Sequence, residues 1–374
     1  MNGRSHRLVQ IPPGVQCFVG DEARRRRAIE SRIVEVFLGW DYEEIIPPLY
    51  DYADVFAGPA LESKTYSFVG RDGSLLALRP DFTSLLAKIA AGRLADRSVP
   101  MRLYYSGEVL RYEPPKAGRQ SELFQMGLEH LGGPGPAADL EVLAIAAECL
   151  AVVGAGGWVL TLGHVGVFGG LVGECGLDAA RVETLRERVE AKDETGVREA
   201  LAGAPVTPAT VEALARLTAL AGGVDVLDEA ERSLAASPAA LASLRELRVI
   251  AQGLRDAGLG EHVSIDLSEV RGLDYYTGFV FRVYAPGLGF EVGGGGRYDA
   301  LLGRFGRPMP AVGFMLGLDR VALLLARQGA LPETPARSAE IVAGADVGQT
   351  LRQARQVRAC GRRVRLMGPT EGRS

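Results

Sequence analysis

Alternation of apolar and polar residues along the chain predicts its strands. Residues 263–267 alternate as in a half-buried strand, and the apolar run Phe279–Tyr284 follows after a polar junction. Two longer stretches, residues 103–112 and Glu122–Leu131, are also typical of strands and are joined by a long turn. Strands connected in this way pair antiparallel, so we expect a largely antiparallel sheet.

The segment before these long strands carries turn and capping signals. Residues 66–69 and Leu75–Leu78 flank a glycine-containing turn and predict a hairpin. Asp81 follows the hairpin and is placed to cap a helix over residues 84–94. Residues 44–48 read as a short strand ended by two prolines, which suits the edge of a sheet.

Helices are predicted in three other places. Apolar residues recur at i, i+4, i+7 and i+8 from Ile29, which predicts a helix over residues 21–38. Residues 138–152 form an apolar helix. Residues 178–258 are rich in Ala, Leu, Glu and Arg, are interrupted by proline and glycine, and have no clear strand pattern. This stretch is interpreted as part of a helical domain inserted between two strand-rich blocks.

The predicted domain organisation follows from these shifts in pattern. Residues 1–165 are the first part of a core, residues 166–258 the inserted helical domain, and residues 259–330 the second part of the core. A proline-containing linker leads to residues 336–374, where strand, helix and strand signals predict a short β-α-β unit. That unit is too small for an independent domain of ordinary size.

Composition indicates an ordinary globular protein. The 374 residues are 47% hydrophobic and 24% charged, with a net charge of −4. With this net charge, the protein as a whole does not resemble a binder of polyanions. The four cysteines are scattered without a CxxC pair, which favours reduced thiols over a disulfide frame or a zinc site. We find no signal-peptide pattern and no uninterrupted membrane-spanning run, so we expect a cytoplasmic protein that needs no metal.

The strand Glu122–Leu131 divides cleanly by period two. Its first face is apolar apart from His130, which we expect to be packed or hydrogen-bonded rather than catalytic. The second face carries Gln125, Gly127 and Glu129. Glycine is depleted in strands, so Gly127 is interpreted as leaving space for a ligand, with Gln125 and Glu129 able to hold an amine or an imidazole N–H. The alternative is a polar face exposed to solvent.

Polar residues also cluster at a junction between two strands. Residues 271–278 contain an arginine, an aspartate, two tyrosines and two glycines, which suits a ligand site or, equally, a turn with a structural Arg–Asp pair. The glycines at 293–296 are interpreted as a loop that permits close approach of a ligand, although no phosphate-loop signature follows. Residues 313–320 are expected to begin an apolar helix. Arg320 on it needs a partner, either a nearby acid or an anionic ligand.

These motifs together resemble the class II aminoacyl-tRNA synthetases, and most closely the histidyl-tRNA synthetase family. Residues 271–278 (RGLDYYTG) and 294–299 (GGGRYD) resemble its two histidine motifs. Residues 110–119 resemble motif 2 and residues 313–320 motif 3, so the resemblance covers roughly residues 10–328. It implies an α+β fold, with an antiparallel sheet flanked by helices, an inserted helical domain and the short C-terminal β-α-β unit.

The resemblance also implies the binding residues. A histidine pocket would comprise Asp81, Thr83, Gln125, Glu129, Arg271, Tyr276 and Tyr298. A nucleotide side would comprise Arg111, Glu113, Arg119 and Arg320. Arg271 would assist at the reacting phosphate of a true synthetase.

Departures from the synthetase pattern concentrate on the nucleotide side. Pro114 and Ser121 stand where the family has arginines, and Leu123 stands where it has a phenylalanine that stacks on adenine. Such stacking contributes about 1–3 kcal/mol per base, so we expect weak ATP binding. Asp81 replaces a glutamate and has a shorter reach. The last roughly 40 residues are too few for the anticodon-binding domain.

This combination resembles the regulatory subunits of ATP phosphoribosyltransferase, which are paralogues of histidyl-tRNA synthetase. The resemblance implies a non-catalytic subunit without a cofactor, which binds L-histidine for feedback inhibition and activates a short-form catalytic subunit. It further implies a homodimer, formed through about residues 21–50, within a hetero-octamer that engages neither tRNA nor a membrane.

Two alternatives remain open from the sequence. The chain could be a minimal histidyl-tRNA synthetase-like enzyme that forms histidyl-adenylate, because it keeps Arg111, Glu113, Arg119, Arg271 and Arg320. It could also be a scaffold paralogue that binds no small molecule.

Overall fold

The computed structural model describes residues 9–112, 120–173, 175–270, 275–333, 339–344 and 346–367. Clustering of its contacts divides the chain into two compact units, Met1–Pro332 and Glu333–Ser374. The first contains the two larger sheets and nearly all of the described helices. The domain boundaries predicted at residues 166 and 258 lie inside this first unit and stay a prediction.

A nine-stranded sheet forms the centre of the first unit. Its strands are β1 (Glu43–Glu44), β5 (Met101–Leu110), β6 (Glu122–Leu131), β7 (Val159–His164), β8 (Ala221–Gly222), β9 (Val263–Asp266), β10 (Phe279–Tyr284), β11 (Gly293–Arg297) and β12 (Ala311–Gly317). Their order in the sheet is β1-β5-β6-β12-β11-β10-β7-β9-β8. Among the described strand pairs of this sheet, only β1–β5 and β7–β9 are parallel, so the expectation of a largely antiparallel sheet flanked by helices is confirmed.

The hairpin predicted from the sequence belongs to a second, three-stranded sheet. In it, β2 (Tyr50–Tyr52) and β3 (Ser67–Val69) both pair antiparallel with β4 (Leu75–Leu78). Ala77 of β4 is fully buried in a small core with Phe56 and Leu85. The predicted edge position is confirmed, but the predicted strand bounds are wrong: edge strand β1 is Glu43–Glu44 and ends before the prolines, so it shares only Glu44 with the predicted residues 44–48.

Two long helices cover one face of the large sheet, here called the back face. Helix α1 (Gly20–Gly39) buries Ile29, Ile33, Val36 and Phe37, as the periodicity predicts. Helix α4 (Pro136–Val153) packs beside it. Phe37 contacts Tyr104 of β5 and Phe314 of β12, with ring centroids 5.4 and 6.1 Å apart. Tyr104 and Phe314 therefore point to the back face.

The remaining helices lie before, between and after the sheet strands. The four-residue helix α2 (Pro59–Glu62) and α3 (Thr83–Ala91) lie between β2 and β5, and α11 (Leu318–Gln328) follows β12. Six described helices connect β7 to β9, apart from the short β8 among them: α5 (Val165–Gly173), α6 (Ala179–Glu190), α7 (Glu194–Ala200), α8 (Pro208–Leu217), α9 (Val226–Ser233) and α10 (Pro238–Asp256). Over the described ranges, none of the helices has both the length and the apolarity needed to cross a bilayer.

The second unit has the β-α-β order that the sequence predicts. Strands β13 (Glu340–Ala343) and β14 (Val364–Met367) pair in parallel, and α12 (Val347–Ala359) connects them. Asp346 caps this helix by accepting a hydrogen bond from the amide of Gln349.

The predicted glycine-rich loop is wrong. Residues Gly293–Arg297 form β11, an interior strand that pairs with β10 and β12. A Cβ on Gly295 would lie 2.6 Å from Cα of Phe314 and closer still to the carbonyl oxygen of Gly313. The glycines are therefore needed for the close approach of neighbouring strands, a role that composition alone does not distinguish from that of a loop.

The helix predicted to begin at residue 313 is also wrong over its first turn. Ala311–Gly317 is strand β12, and the helix begins at Leu318. Continuous apolar residues fit a strand buried on both faces as well as a buried helix, so periodicity does not separate the two.

Gly295→Ala is expected to lower the free energy of unfolding by about 3 kcal/mol, because the added methyl group forces β11 and β12 apart. Urea unfolding followed by circular dichroism measures the loss. Gly289→Ala is the matched control, since a Cβ there meets no described atom within 4 Å. Equal stability of the two variants would contradict this role for Gly295.

Candidate functional site

The strand register places Gln125 and Glu129 on the face of the large sheet opposite α1 and α4, here called the front face. Glu129 of β6 pairs with Gly313 of β12, which pairs in turn with Gly296 of β11. Gln125 lies further along β6, opposite Gly317. Gln125 is 4% exposed and Glu129 is 1% exposed, so the alternative of a solvent-exposed polar face is wrong.

Glu129 is the centre of this face. The hydroxyl of Thr83, at the start of α3, donates to Oε1 of Glu129 at 2.7 Å. The hydroxyl of Tyr298, just after β11, donates to Oε2. Burial raises the pKa of Glu129 to about 8, and the two hydroxyl donors oppose the rise. Three segments far apart in sequence thus meet at one buried carboxyl group.

Tyrosine side chains form the surroundings of this carboxyl group. The ring of Tyr275 lies 5.1 Å from that of Tyr276 and 5.6 Å from that of Tyr298. Burial raises the pKa of each of these phenols, and the charge of Glu129 raises them further. They are therefore neutral at ordinary pH and can both donate and accept hydrogen bonds. Tyr275 was not among the predicted pocket residues, although its place beside Tyr276 was an available signal.

The interpretation of Gly127 as space for a ligand is wrong. Tyr105 of β5 pairs with Gly127, and a Cβ on Gly127 would lie 2.5 Å from the Tyr105 hydroxyl. The phenol of Tyr105 thus fills the space and stacks on Phe82 with ring centroids 4.1 Å apart. Alternation along one strand does not show what the neighbouring strand places across it.

Other glycines on this face have the same effect. A Cβ on Gly313 would collide with the carboxylate of Glu129, and one on Gly296 would lie 3.1 Å from the ring of Tyr276. The glycines therefore let polar side chains lie flat against the sheet, where a β-carbon would push them away.

Asp81 has the capping role that the sequence favours. It accepts hydrogen bonds from the amide of Ser84 at 3.0 Å and from its hydroxyl at 3.1 Å. Burial raises the pKa of Asp81, against the effect of these bonds. Helix α3 begins at Thr83 and ends at Ala91, slightly earlier than predicted. The cap orients the first turn of α3, and with it the Thr83 hydroxyl that reaches Glu129.

The two described arginines of the predicted nucleotide side, Arg111 and Arg320, bind groups of the protein itself. Arg111 donates from Nε to the carbonyl oxygen of Pro80 at 2.8 Å. Arg320 donates to the carbonyl oxygen of Glu291 at 2.8 Å and to its carboxylate at 2.7 Å, which confirms the alternative of a pair with a nearby acid. Glu113, Arg119 and Arg271 lie outside the described residues.

A buried ion pair that the sequence did not indicate supports the site from one side. Arg297 donates from Nε to Asp139 of α4 at 2.9 Å, and from Nη1 to Asp299 at 3.0 Å. Burial raises the pKa of Asp139 to about 6, and the arginine opposes the rise. The pair fixes the end of β11, where Tyr298 follows.

Two cavities elsewhere are not lined by these residues. One, of about 710 Å³, lies along α10 beside Val249 and Arg248, and the other, of about 260 Å³, lies at the start of α1 beside Arg26 and Phe124. His130, predicted as packed, is 3% exposed on the back face beside Glu141.

Comparison with known proteins identifies the family. The family model described as histidyl-tRNA synthetase matches residues 14–321. The ATP phosphoribosyltransferase regulatory subunit of Moorella thermoacetica is 40% identical over 368 residues, which cover 98% of this chain and 94% of that protein. The chain belongs to the family of ATP phosphoribosyltransferase regulatory subunits. The protein of the same name from Desulforamulus reducens is 39% identical over 332 residues, 88% of this chain and 82% of that protein.

Solved structures agree with this assignment. A Bacillus halodurans protein described as an ATP phosphoribosyltransferase regulatory subunit/histidyl-tRNA synthetase has a TM-score of 0.85 and 28% identity, over 98% of this chain and 94% of that one. A histidyl-tRNA synthetase from Nostoc has a TM-score of 0.77 and 24% identity over 98% of this chain and 87% of that one, and shows the shared fold. The resemblance to regulatory subunits and the class II synthetase-like fold are confirmed, and the family is one of non-catalytic subunits.

Glu129→Gln is expected to remove a pH-dependent loss of stability. The pKa of Glu129 is about 8 in the folded protein, against an ordinary value of 4.5. Between these values the carboxyl group ionises in the unfolded chain but stays neutral in the folded one. The free energy of unfolding therefore falls as pH rises, with a limiting slope of about 1.4 kcal/mol per pH unit.

Urea unfolding at several pH values between about 4.5 and 8 measures this slope. The amide introduced by Glu129→Gln does not ionise, so the variant should lack this contribution. Glu148→Gln, at an exposed carboxylate that accepts from Trp40, should keep it. A constant difference between wild type and Glu129→Gln across the range would disprove the raised pKa.

Proposed function

We propose that the chain is the regulatory subunit of an ATP phosphoribosyltransferase and binds L-histidine at the Glu129 site. Its partner is a short-form catalytic subunit, which it activates and through which bound histidine inhibits the first step of histidine biosynthesis. The names of the relatives support the regulatory role and a partnership with an ATP phosphoribosyltransferase. Histidine as effector, a homodimer through residues 21–50, and a hetero-octamer in the cytoplasm belong to the proposal.

The observation that carries the proposal is the buried carboxyl group of Glu129 between two hydroxyl donors. An imidazole has ring nitrogens that donate and accept, and it matches a carboxylate flanked by hydroxyls of Thr83 and Tyr298. An isolated buried carboxylate is unfavourable, as its raised pKa indicates, so a ligand that brings an N–H or a positive charge relieves this cost. The site therefore favours a cationic or N–H-bearing ligand over an anionic one.

The other proposed pocket residues complement an amino acid. Gln125 is buried on the same face and offers an amide to the ligand's polar groups, and Tyr276 adds a neutral phenol. Asp81 contributes in part through the cap that holds Thr83 in place. Arg271 is proposed from its place in the histidine motif.

The proposed regulation requires two states of the complex with unequal affinity for histidine. If histidine binds the less active state more tightly, the complex shifts toward it, and coupling energies of this kind are typically about 1–3 kcal/mol. This coupling is reciprocal. If bound histidine changes the affinity between the chain and the catalytic subunit by some factor, the catalytic subunit changes the affinity for histidine by the same factor.

The alternative enzyme, one that forms histidyl-adenylate, has less support. Arg111 and Arg320, which would bind the nucleotide, are engaged by Pro80 and Glu291. Leu123, at the position of the stacking phenylalanine, is an aliphatic residue that offers no aromatic surface to adenine.

Glu129→Gln and Tyr298→Phe are each expected to weaken histidine binding by about 10- to 100-fold, because each leaves a polar group of the ligand or pocket without its partner. Isothermal titration calorimetry with histidine measures the effect on the full chain, alone and with the catalytic subunit. Glu148→Gln, on an exposed carboxylate, is the control and should bind as wild type. No histidine binding by the wild-type chain in either setting would support the scaffold alternative.

The full chain should co-purify with a short-form ATP phosphoribosyltransferase and raise its activity, and histidine should inhibit the complex. In the Glu129→Gln complex, inhibition should need about 10- to 100-fold more histidine. The purified chain should show no histidine-dependent ATP–pyrophosphate exchange. Robust exchange would instead favour the adenylate-forming enzyme.

A further inference from the structure

Four charged side chains of alternating sign form a row on the front face beside the Glu129 site. Arg282 donates from Nε toward Glu269 at 2.8 Å, and its Nη1 lies 3.9 Å from Glu291. Glu291 in turn accepts from Arg320 at 2.7 Å. We call Glu269, Arg282, Glu291 and Arg320 the ionic row.

The register locates the ionic row relative to the pocket. Arg282 of β10 pairs with Gly294, which pairs with Met315, which pairs with Gly127. Gly127 and Glu129 are two residues apart on β6, so Arg282 projects from the same face as Glu129. Glu269 lies over Gly163, where a Cβ would be 3.0 Å from the Cβ of Glu269.

The ionic row resembles an anion site that is already filled. Arg320 lies with its guanidinium 5.4 Å from the ring centroid of Phe290, and Arg282 lies nearby through Glu291. Two guanidinium groups and an aromatic ring are the groups that bind a phosphorylated aromatic ligand. Here Glu291 accepts from Arg320 through both its carboxylate and its carbonyl oxygen. The Nε of Arg282 is held by Glu269, and its Nη1 forms a longer ion pair with Glu291 at 3.9 Å.

Glu291 and Arg320 are partly exposed, so Glu291 competes with ligands from solvent for the guanidinium group of Arg320. Arg320 and Glu291 are 31% and 30% exposed, so a ligand from solvent can reach them. Burial alone would raise the pKa of Glu291, but the hydrogen bond and charge of Arg320 lower it overall, so the carboxylate is ionised at neutral pH. A nucleotide phosphate would have to displace this carboxylate and then lie beside it, and like charges at such distances repel.

We propose that Glu291 is an internal counterion that excludes nucleotide phosphates from Arg320 and Arg282, and so makes the front face selective for an amino acid without ATP. This specificity role rests on the proposed function only in placing the pocket beside the ionic row. Selectivity is obtained by an added repulsive group and not solely by the loss of contacts.

Glu291→Gln tests the proposal because glutamine keeps the shape and the carbonyl contact but removes the negative charge. ATP and inorganic tripolyphosphate are titrated into the full chain by calorimetry. We expect the variant to bind both at least about tenfold more tightly than wild type, with a smaller gain for Glu291→Asp, whose charge is retained. Glu194→Gln is the matched control, since Glu194 is an exposed carboxylate paired with Arg198.

The double variant Glu291→Gln/Arg320→Gln should lose the gain, because the anion then lacks its guanidinium partner. A gain that survives in the double variant would place the anion elsewhere and overturn the proposal. So would an unchanged affinity in Glu291→Gln, or tight Arg320-dependent ATP binding by wild type. If Glu291→Gln does not fold, the affinities of Glu291→Asp for ATP and tripolyphosphate are compared with those of wild type and Arg320→Gln. The smaller gain expected for Glu291→Asp supports the proposal, and an affinity no higher than that of wild type contradicts it.

Histidine is titrated into the same proteins. Failure of wild type to bind histidine would refute the histidine pocket, whereas the ATP titrations judge Glu291 independently of that result.

Discussion

The front face of the large sheet depends on one constraint. At several positions a polar side chain lies flat against a neighbouring strand, where a β-carbon would collide with it, so that strand must have glycine there. Glu129 lies across Gly313, Tyr105 across Gly127, and Tyr276 across Gly296. Each pair joins a glycine to a polar residue from another segment. Replacing either member changes the other, because the interior of a sheet has no spare volume. The glycine-rich sequence of β11 is thus a packing requirement of the site itself.

Buried groups whose charges would be unstable alone lie on both faces of this sheet. Glu129 is buried between two hydroxyl donors, Asp81 is bound by Ser84, and Arg297 is paired with Asp139. Burial raises the pKa of all three carboxyl groups, to about 8 for Glu129 and to about 6 for Asp139, so a negative charge on them is less stable than in water. The proposed binding of histidine would relieve this cost at Glu129, because the ligand supplies N–H donors or positive charge.

On the predicted nucleotide side, by contrast, the protein itself supplies partners for the charged groups. Arg111 and Arg320 are satisfied by a carbonyl and by a carboxylate of the chain. A fold shared with synthetases therefore does not imply their reaction, because function depends on which groups are left to meet a ligand. Membership of a family of regulatory subunits agrees with this engagement of the arginines by the protein itself.

The sequence by itself determined the α+β class, the family resemblance, and most elements with strong periodicity, such as α1, α4, β6 and β10. It also determined which face of β6 was polar, because alternation along a strand is a local property. Only the tertiary structure decided that 293–297 is a strand, that Tyr105 fills the space over Gly127, and that Glu291 holds Arg320. These features depend on which strands lie side by side and at what distance, and a linear pattern of residues does not specify what the neighbouring strand places across a glycine.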